Sequence, residues 1–174
     1  MKVIQLTLNQ VTIVDNRDYP KVKDYPWCAQ KTRYSYYAIT TVKCPDGKWR
    51  RIYMHRLLMN VFDRLIEVDH RDRNGLNNRR KNLRRCTRGQ NRVNSPKQHR
   101  QHRLSRYRSS RFKGVGWDNY KKKWKVGIRH TGRGWFLGYF TSEIDAAQAY
   151  NTKALELFGE FAYLNDIGTM KANA

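Results

Sequence analysis

VDHRDRNGLNNRRKNLRRCTRGQNRVN, residues 68–94, is the stretch on which the reading of this chain turns. A short strand over 66–68 leads into Asp69-His70. Residues 71–81 are polar, and Asn74-Gly75 is their sharpest turn signal. Leu83–Cys86 reads as a second strand. Thr87 then serves as an N-cap, with Gln90 three residues on, the spacing of a capping box. The helix that follows carries Gln90, Asn91 and Val93 and must stop near Ser95-Pro96. A strand–loop–strand–helix of this size can bring Asp69 and Asn91 side by side on one metal ion. Both offer oxygen, which suits Mg²⁺ or Mn²⁺ rather than Zn²⁺. His70, next along the strand, points to the opposite side, where it can activate a water for attack on a phosphate. The metal would stabilise charge on the phosphate and the leaving 3′ oxygen. One base, one metal and one phosphate make a minimal phosphodiesterase.

The composition agrees with a phosphate-bearing partner. The chain has 174 residues, 36 Lys+Arg against 14 Asp+Glu, and a net charge of +22. A folded chain this positive repels itself unless it meets a polyanion. Aromatics make up 13%, too many for a disordered basic tail. No apolar run approaches the roughly 18–20 residues of a membrane span, and no signal-peptide core is present, so no membrane partner is expected. Cys28, Cys44 and Cys86 form no C-x-x-C pair. They read as reduced thiols of a cytoplasmic protein.

Upstream, residues 3–8, 11–14, 27–30, 34–42 and 49–54 read as strands, with Asn9-Gln10 and Pro45-Asp46-Gly47 as turns. Residues 54–62 read as a short helix whose apolar side is Leu57, Leu58 and Val61. The expectation is one small antiparallel sheet closed by that helix. Downstream, residues 95–111 hold almost no core-forming side chains, and no acidic residue occurs between Asp72 and Asp118. This is a basic linker whose roughly 16 residues reach on the order of 50 Å when extended. Beyond it, 112–117, 123–129 and 135–140 read as strands. A helix then starts at Thr141 or Ser142, ends at Gly159, and places Ile144, Ala147, Tyr150, Ala154 and Phe158 on one face. The fold class is therefore α+β, divided as 1–60, 61–96, 97–110 and 111–174.

Asp69-His70, then Asn82, then Asn91 resembles the motif of HNH endonucleases with their ββα-metal site. Tyr53-Met54-His55-Arg56-Leu57-Leu58 before it and Leu83-Arg84 after Asn82 look like the phage intron-encoded HNH homing endonucleases, over about residues 27–94. The resemblance implies that His70 is the general base and that Asp69 and Asn91 hold the divalent metal. Asn82 completes the catalytic set as a structural member, its amide bracing the loop. The last family position is often His; Asn91 in its place favours a hard, oxygen-preferring metal. His55 opens a helix two strands away from the site and reads as a structural or phosphate-contacting residue, with a place in the catalytic shell as the alternative.

The third part resembles AP2-type DNA-binding domains over about residues 111–165. The carriers are Phe112-Lys113-Gly114-Val115, Lys123 to Arg129, Trp135 to Phe140, and Asp145-Ala146-Ala147. That family lays a three-stranded sheet in the major groove. The alternation agrees: Trp124, Val126 and Ile128 share one face, and Lys123, Lys125 and Arg129 the other. Gly116 and Gly134 stand where the plant proteins carry DNA-contacting arginines, so their target sequence does not transfer. Arg71, Arg73, Arg79, Arg80, Arg84 and Arg88 surround the site, Arg100, Arg103 and Arg106 continue along the linker, and Lys113 opens the third part. If about 8–10 cations meet phosphates, log K falls with log salt at a slope near −7 to −9.

The expectation is a site-specific endonuclease that acts as a monomer on double-stranded DNA and nicks one strand of a target of roughly 20–30 base pairs. Two other classes fit the charge. A non-catalytic transcription regulator would bind without cutting, and an RNA-binding protein would depend on the 2′-hydroxyl.

Overall fold

The computed structural model describes residues 1–97 and 110–168, which form two compact units, Met1–Arg92 and Val93–Ala174. Within the first, β1 (Lys2–Gln5) and β2 (Val11–Val14) make a hairpin. β3 (Cys28–Lys31), β4 (Tyr36–Lys43) and β5 (Trp49–Tyr53) make a separate antiparallel meander. The strands expected in one sheet thus form two. β1 stops at Gln5 because Leu8 and Asn9 both take positive φ, 58° and 53°, and Leu6 N–H closes the turn on Gln10 O at 2.9 Å. In the β4–β5 hairpin, Gly47 supplies a φ of 74°, and its N–H donates to Cys44 O at 2.9 Å. Helix α1 (Met54–Leu58) is shorter than the expected 54–62, because Asn60 turns left-handed (φ 52°) and ends it.

The 68–94 stretch folds as a two-stranded antiparallel ribbon, β6 (Glu67–His70) with β7 (Leu83–Cys86), followed by α2 (Arg88–Val93). Its register sets Asp69 opposite Arg84 and His70 opposite Leu83. The capping box forms as the spacing implied: Thr87 N–H donates to Gln90 Oε1 at 2.8 Å, and Gln90 N–H to Thr87 Oγ1 at 3.3 Å. The ribbon does not stand alone. Val68, Leu76 and Leu83 share one core with Val14, Trp27, Ala38, Met54 and Leu58. Segment 1–60 and the β6–β7 ribbon are therefore held together by a single apolar interior.

Gly75 is where the ribbon loop meets the meander. Its N–H donates to Ser35 Oγ at 3.0 Å. A Cβ at this position would overlap the Tyr36 carbonyl oxygen and lie 2.6 Å from the Tyr37 ring. Gly75→Ala is therefore expected to cost about 1–3 kcal/mol, read as a lower urea midpoint; an unchanged midpoint would show that the loop simply shifts aside.

The second unit is β8 (Val115–Asp118), β9 (Lys123–His130) and β10 (Arg133–Phe140) in the order β10-β9-β8, backed by α3 (Glu143–Phe158). Ser142 caps α3, accepting from Asp145 N–H at 3.3 Å, and Gly159 ends it. Its buried face is Ala146, Ala147, Tyr150 and Ala154. Ile144, expected on that face, is 49% exposed, because the buried stripe centres on Ala146, Ala147, Tyr150 and Ala154 and leaves Ile144 roughly 100° around the helix. Val126 and Ile128 face the core, while Lys123, Lys125 and Arg129 are exposed. No helix among the described residues is long and apolar enough to cross a membrane.

Candidate functional site

Strand alternation splits the candidate motif into two sides. Glu67 and Asp69 project from one face of β6, and Val68 and His70 from the other. On the first face, Arg84 reaches across the ribbon. Its Nε and Nη2 donate to Asp69 Oδ2 at 2.9 and 2.6 Å, and both side chains are about 94% buried, with 6% and 7% exposure. From α2, the Asn91 amide nitrogen donates to Glu67 Oε2 at 2.6 Å. Two carboxylates and one amide thus gather on this face, together with the Cys86 thiol. Burial pushes that thiol up to about 11, helped by Asp69 and Glu67.

On the second face His70 is only 4% exposed. Its Nε2 lies 3.2 Å from Asn78 Oδ1. His55, from the start of α1, stands edge-on to it with ring centroids 5.0 Å apart and planes at 78°. Tyr37 lies 5.7 Å from His55 and 5.8 Å from His70. Tyr53 lies 5.4 Å from His55 and donates its hydroxyl to Gln30 Oε1 at 3.0 Å. Burial holds both imidazoles below the usual histidine value. For His55 the neighbouring His70 and Arg56 add to the effect; for His70 the Asn78 hydrogen bond, Asp72 and Asp69 oppose it. Sequence reading set His55 apart from the site; packing puts it against the base candidate. Only the polar character of His55 just after a strand hinted at this.

Asn82 braces the loop between the strands. Its amide nitrogen donates to Asp72 Oδ1 at 2.8 Å and to Asn77 O at 2.7 Å, and its Oδ1 accepts from Asp72 N–H at 3.0 Å. Along 158 residues the chain is 35% identical to an uncharacterized HNH endonuclease of Acanthamoeba polyphaga mimivirus, a match spanning 86% of this chain and 71% of the relative. The chain belongs to the HNH endonuclease family. No protein-family model and no solved structure matches it.

HNH nucleases generally use a divalent metal ion, and the oxygen face of this HNH endonuclease fits a hard one. Among the described residues no three His, Cys, Asp or Glu side chains converge on one point. An ion here would take one or two carboxylate oxygens and fill its other positions with water and phosphate. That is the ordinary coordination of Mg²⁺, and it is poor for Zn²⁺.

The arginines expected on phosphate divide into two groups. Arg71, Arg73 and Arg88 are exposed. The HNH endonuclease turns others inward. Arg84 is held by Asp69. Arg79 Nε donates to Asp15 Oδ1 at 3.0 Å, and Arg80 makes two bonds of 2.8 and 3.0 Å to the buried Asp18. Asp15 and Asp18 sit at a 3-10 turn, Asn16–Lys21, that the sequence reading passed over. Lys113 Nζ donates to Val93 O and Ser95 O, each at 2.7 Å. Arg100, Arg103 and Arg106 lie outside the described residues.

Proposed function

We propose that this HNH endonuclease is a site-specific homing enzyme that nicks one strand of double-stranded DNA as a monomer. His70 is its general base, and Asp69 and Asn91 hold one Mg²⁺ or Mn²⁺. The observation that carries this reading is the division of β6. Asp69 lies on the oxygen-rich face with Glu67 and Asn91, and His70 lies on the other side in an aromatic pocket. His70 takes the proton from the attacking water, the new P–O bond forms, and the 3′ oxygen leaves. A bound divalent cation would supply charge stabilisation on the phosphate and the leaving oxygen. Asn82 keeps the loop closed beneath His70 through Asp72 and Asn77. With one such motif in the chain, one strand is cut per encounter.

The second unit supports a long DNA target. Lys123, Lys125 and Arg129 line an exposed sheet face, with Phe136 and Tyr139 beside them, 58% and 37% exposed. Such a cationic, aromatic-flanked surface suits a major groove, as in an AP2-like module. The test is conversion of supercoiled plasmid carrying candidate phage and host sites. Open circles that form with Mg²⁺ and vanish with EDTA are expected. Linear DNA as the first product overturns the nicking reading. Tight binding without any cutting on a confirmed target moves the reading to a transcription regulator.

Because burial holds His70 neutral to lower pH than an ordinary histidine, cleavage is expected to rise with pH on a limb below about 6.5 and to level off above it. Desolvation is the largest influence on this shift, and it prevails over the Asn78 hydrogen bond, Asp72 and Asp69, which oppose it. A limb centred above about 7, with DNA affinity constant, would remove His70 from the role of base.

A further inference from the structure

The first hairpin enters the nuclease site through one hydroxyl. Thr12 and Asn78 lie 66 residues apart, and each is 0% exposed. β2 grips the loop that carries Asn78 from both sides: Ile13 N–H donates to Leu76 O at 3.0 Å, and Asn78 N–H to Ile13 O at 2.9 Å. Between these backbone bonds, Thr12 Oγ1 lies 2.7 Å from Leu76 O and 2.8 Å from Asn78 Nδ2.

The directions of these bonds are forced in sequence. A carbonyl oxygen can only accept, and two oxygens stand 2.7 Å apart comfortably only with a proton between them. The single Thr12 proton therefore goes to Leu76 O. Toward Asn78 the hydroxyl then offers only a lone pair, so the amide must turn its NH₂ to Thr12. That turns Asn78 Oδ1 to His70 Nε2, at 3.2 Å. An amide oxygen accepts only, so Nε2 must carry the imidazole proton.

From this chain of bonds we infer that Thr12 and Asn78 are positioning residues that fix His70 as its Nε2–H tautomer, so that Nδ1 is the nitrogen that takes the water proton. The inference rests on the reading of His70 as general base. It also assigns the first hairpin a task in catalysis. Its second strand, β2, sets the chemistry of a side chain on β6. The dependence runs through a single proton on Thr12, and valine at that position would keep the shape of the side chain and lose the proton.

The test is the ¹⁵N spectrum of the imidazole rings in the full chain, recorded about two units above the ordinary histidine value so that the rings are neutral. His70 is assigned by its absence in His70→Gln. The wild-type chain should show Nε2 protonated and Nδ1 unprotonated. Thr12→Val lets the amide turn, and Asn78→Leu removes it; both should give a mixture of tautomers. Thr12→Ser keeps the hydroxyl and should restore the single tautomer. Cleavage should fall about 10- to 100-fold in Thr12→Val and Asn78→Leu, the loss typical when a working histidine's orienting partner is removed, and recover in Thr12→Ser. A wild-type His70 protonated on Nδ1 overturns the inference, whether or not any variant folds. So does a Thr12→Val chain that loses activity with its tautomer unchanged, since packing alone then explains the loss. A wild-type chain with the stated tautomer that cuts no DNA removes the nuclease reading and leaves the tautomer assignment standing.

Discussion

His70→Ala is expected to lower the cleavage rate by about 10²–10⁴-fold while the chain still binds DNA, the range that a general base contributes. His70 is 4% exposed and sits against His55 and Tyr37, so its removal changes proton transfer rather than the cationic surface. Alanine also leaves a hollow in the pocket. His70→Gln is the companion variant, because its amide fills more of the space and offers no basic nitrogen. If both variants bind DNA and both lose cleavage, proton transfer is the step removed. If His70→Gln cuts at the wild-type rate, another group is the base. His55, 5.0 Å away between ring centroids, is the residue to examine next.

Arg84→Ala is expected to lower stability by about 3–5 kcal/mol, the cost of leaving a buried carboxylate without its partner. The pair is cross-strand, in register, and made through two bonds from one guanidinium to Asp69 Oδ2. Lysine cannot reproduce that fork, so Arg84→Lys should recover only part of the loss. The oxygen face makes a further outcome measurable. With the guanidinium gone, Asp69 and Glu67 stand side by side on one face of β6 without the arginine that bonds Asp69. Mg²⁺ should then raise the urea midpoint of Arg84→Ala more than that of the wild-type chain, by mass action on the folded state. If Mg²⁺ stabilises the two chains equally, the Asp69 face is not where the ion binds. Arg84 was expected on phosphate. Its burial makes it the partner of Asp69 instead.

Much of the local structure could be read residue by residue. Val11–Val14 carries a short run of strand formers with turn residues beside it. Thr87 with Gln90, and Ser142 with Gly159, mark helix ends because their groups bond within a few residues of themselves. Adjacent residues on a strand face opposite ways, so the split between Asp69 and His70 was legible as soon as the strand was. The errors of extent have local causes too. β1 and α1 are shorter than expected because Leu8, Asn9 and Asn60 adopt left-handed backbone, which no apolar pattern announces.

By itself, then, the sequence determined which short segments become strand or helix, which residues of β6 share a side, and that the chain is strongly cationic. These depend on torsional preferences and on bonds between near neighbours. Only the tertiary structure decided which side chains meet. It set His55 against His70, turned Arg84 onto Asp69, paired Arg80 with Asp18 across 62 residues, and brought Thr12 to Asn78 across 66. Each of those contacts depends on how the β1–β2 hairpin, the meander and the ribbon bury one shared core. That packing is a property of the whole unit, because hydrophobic burial has no direction of its own. Hydrogen bonds and ion pairs then select, among the polar groups carried along, the partners that chain separation conceals.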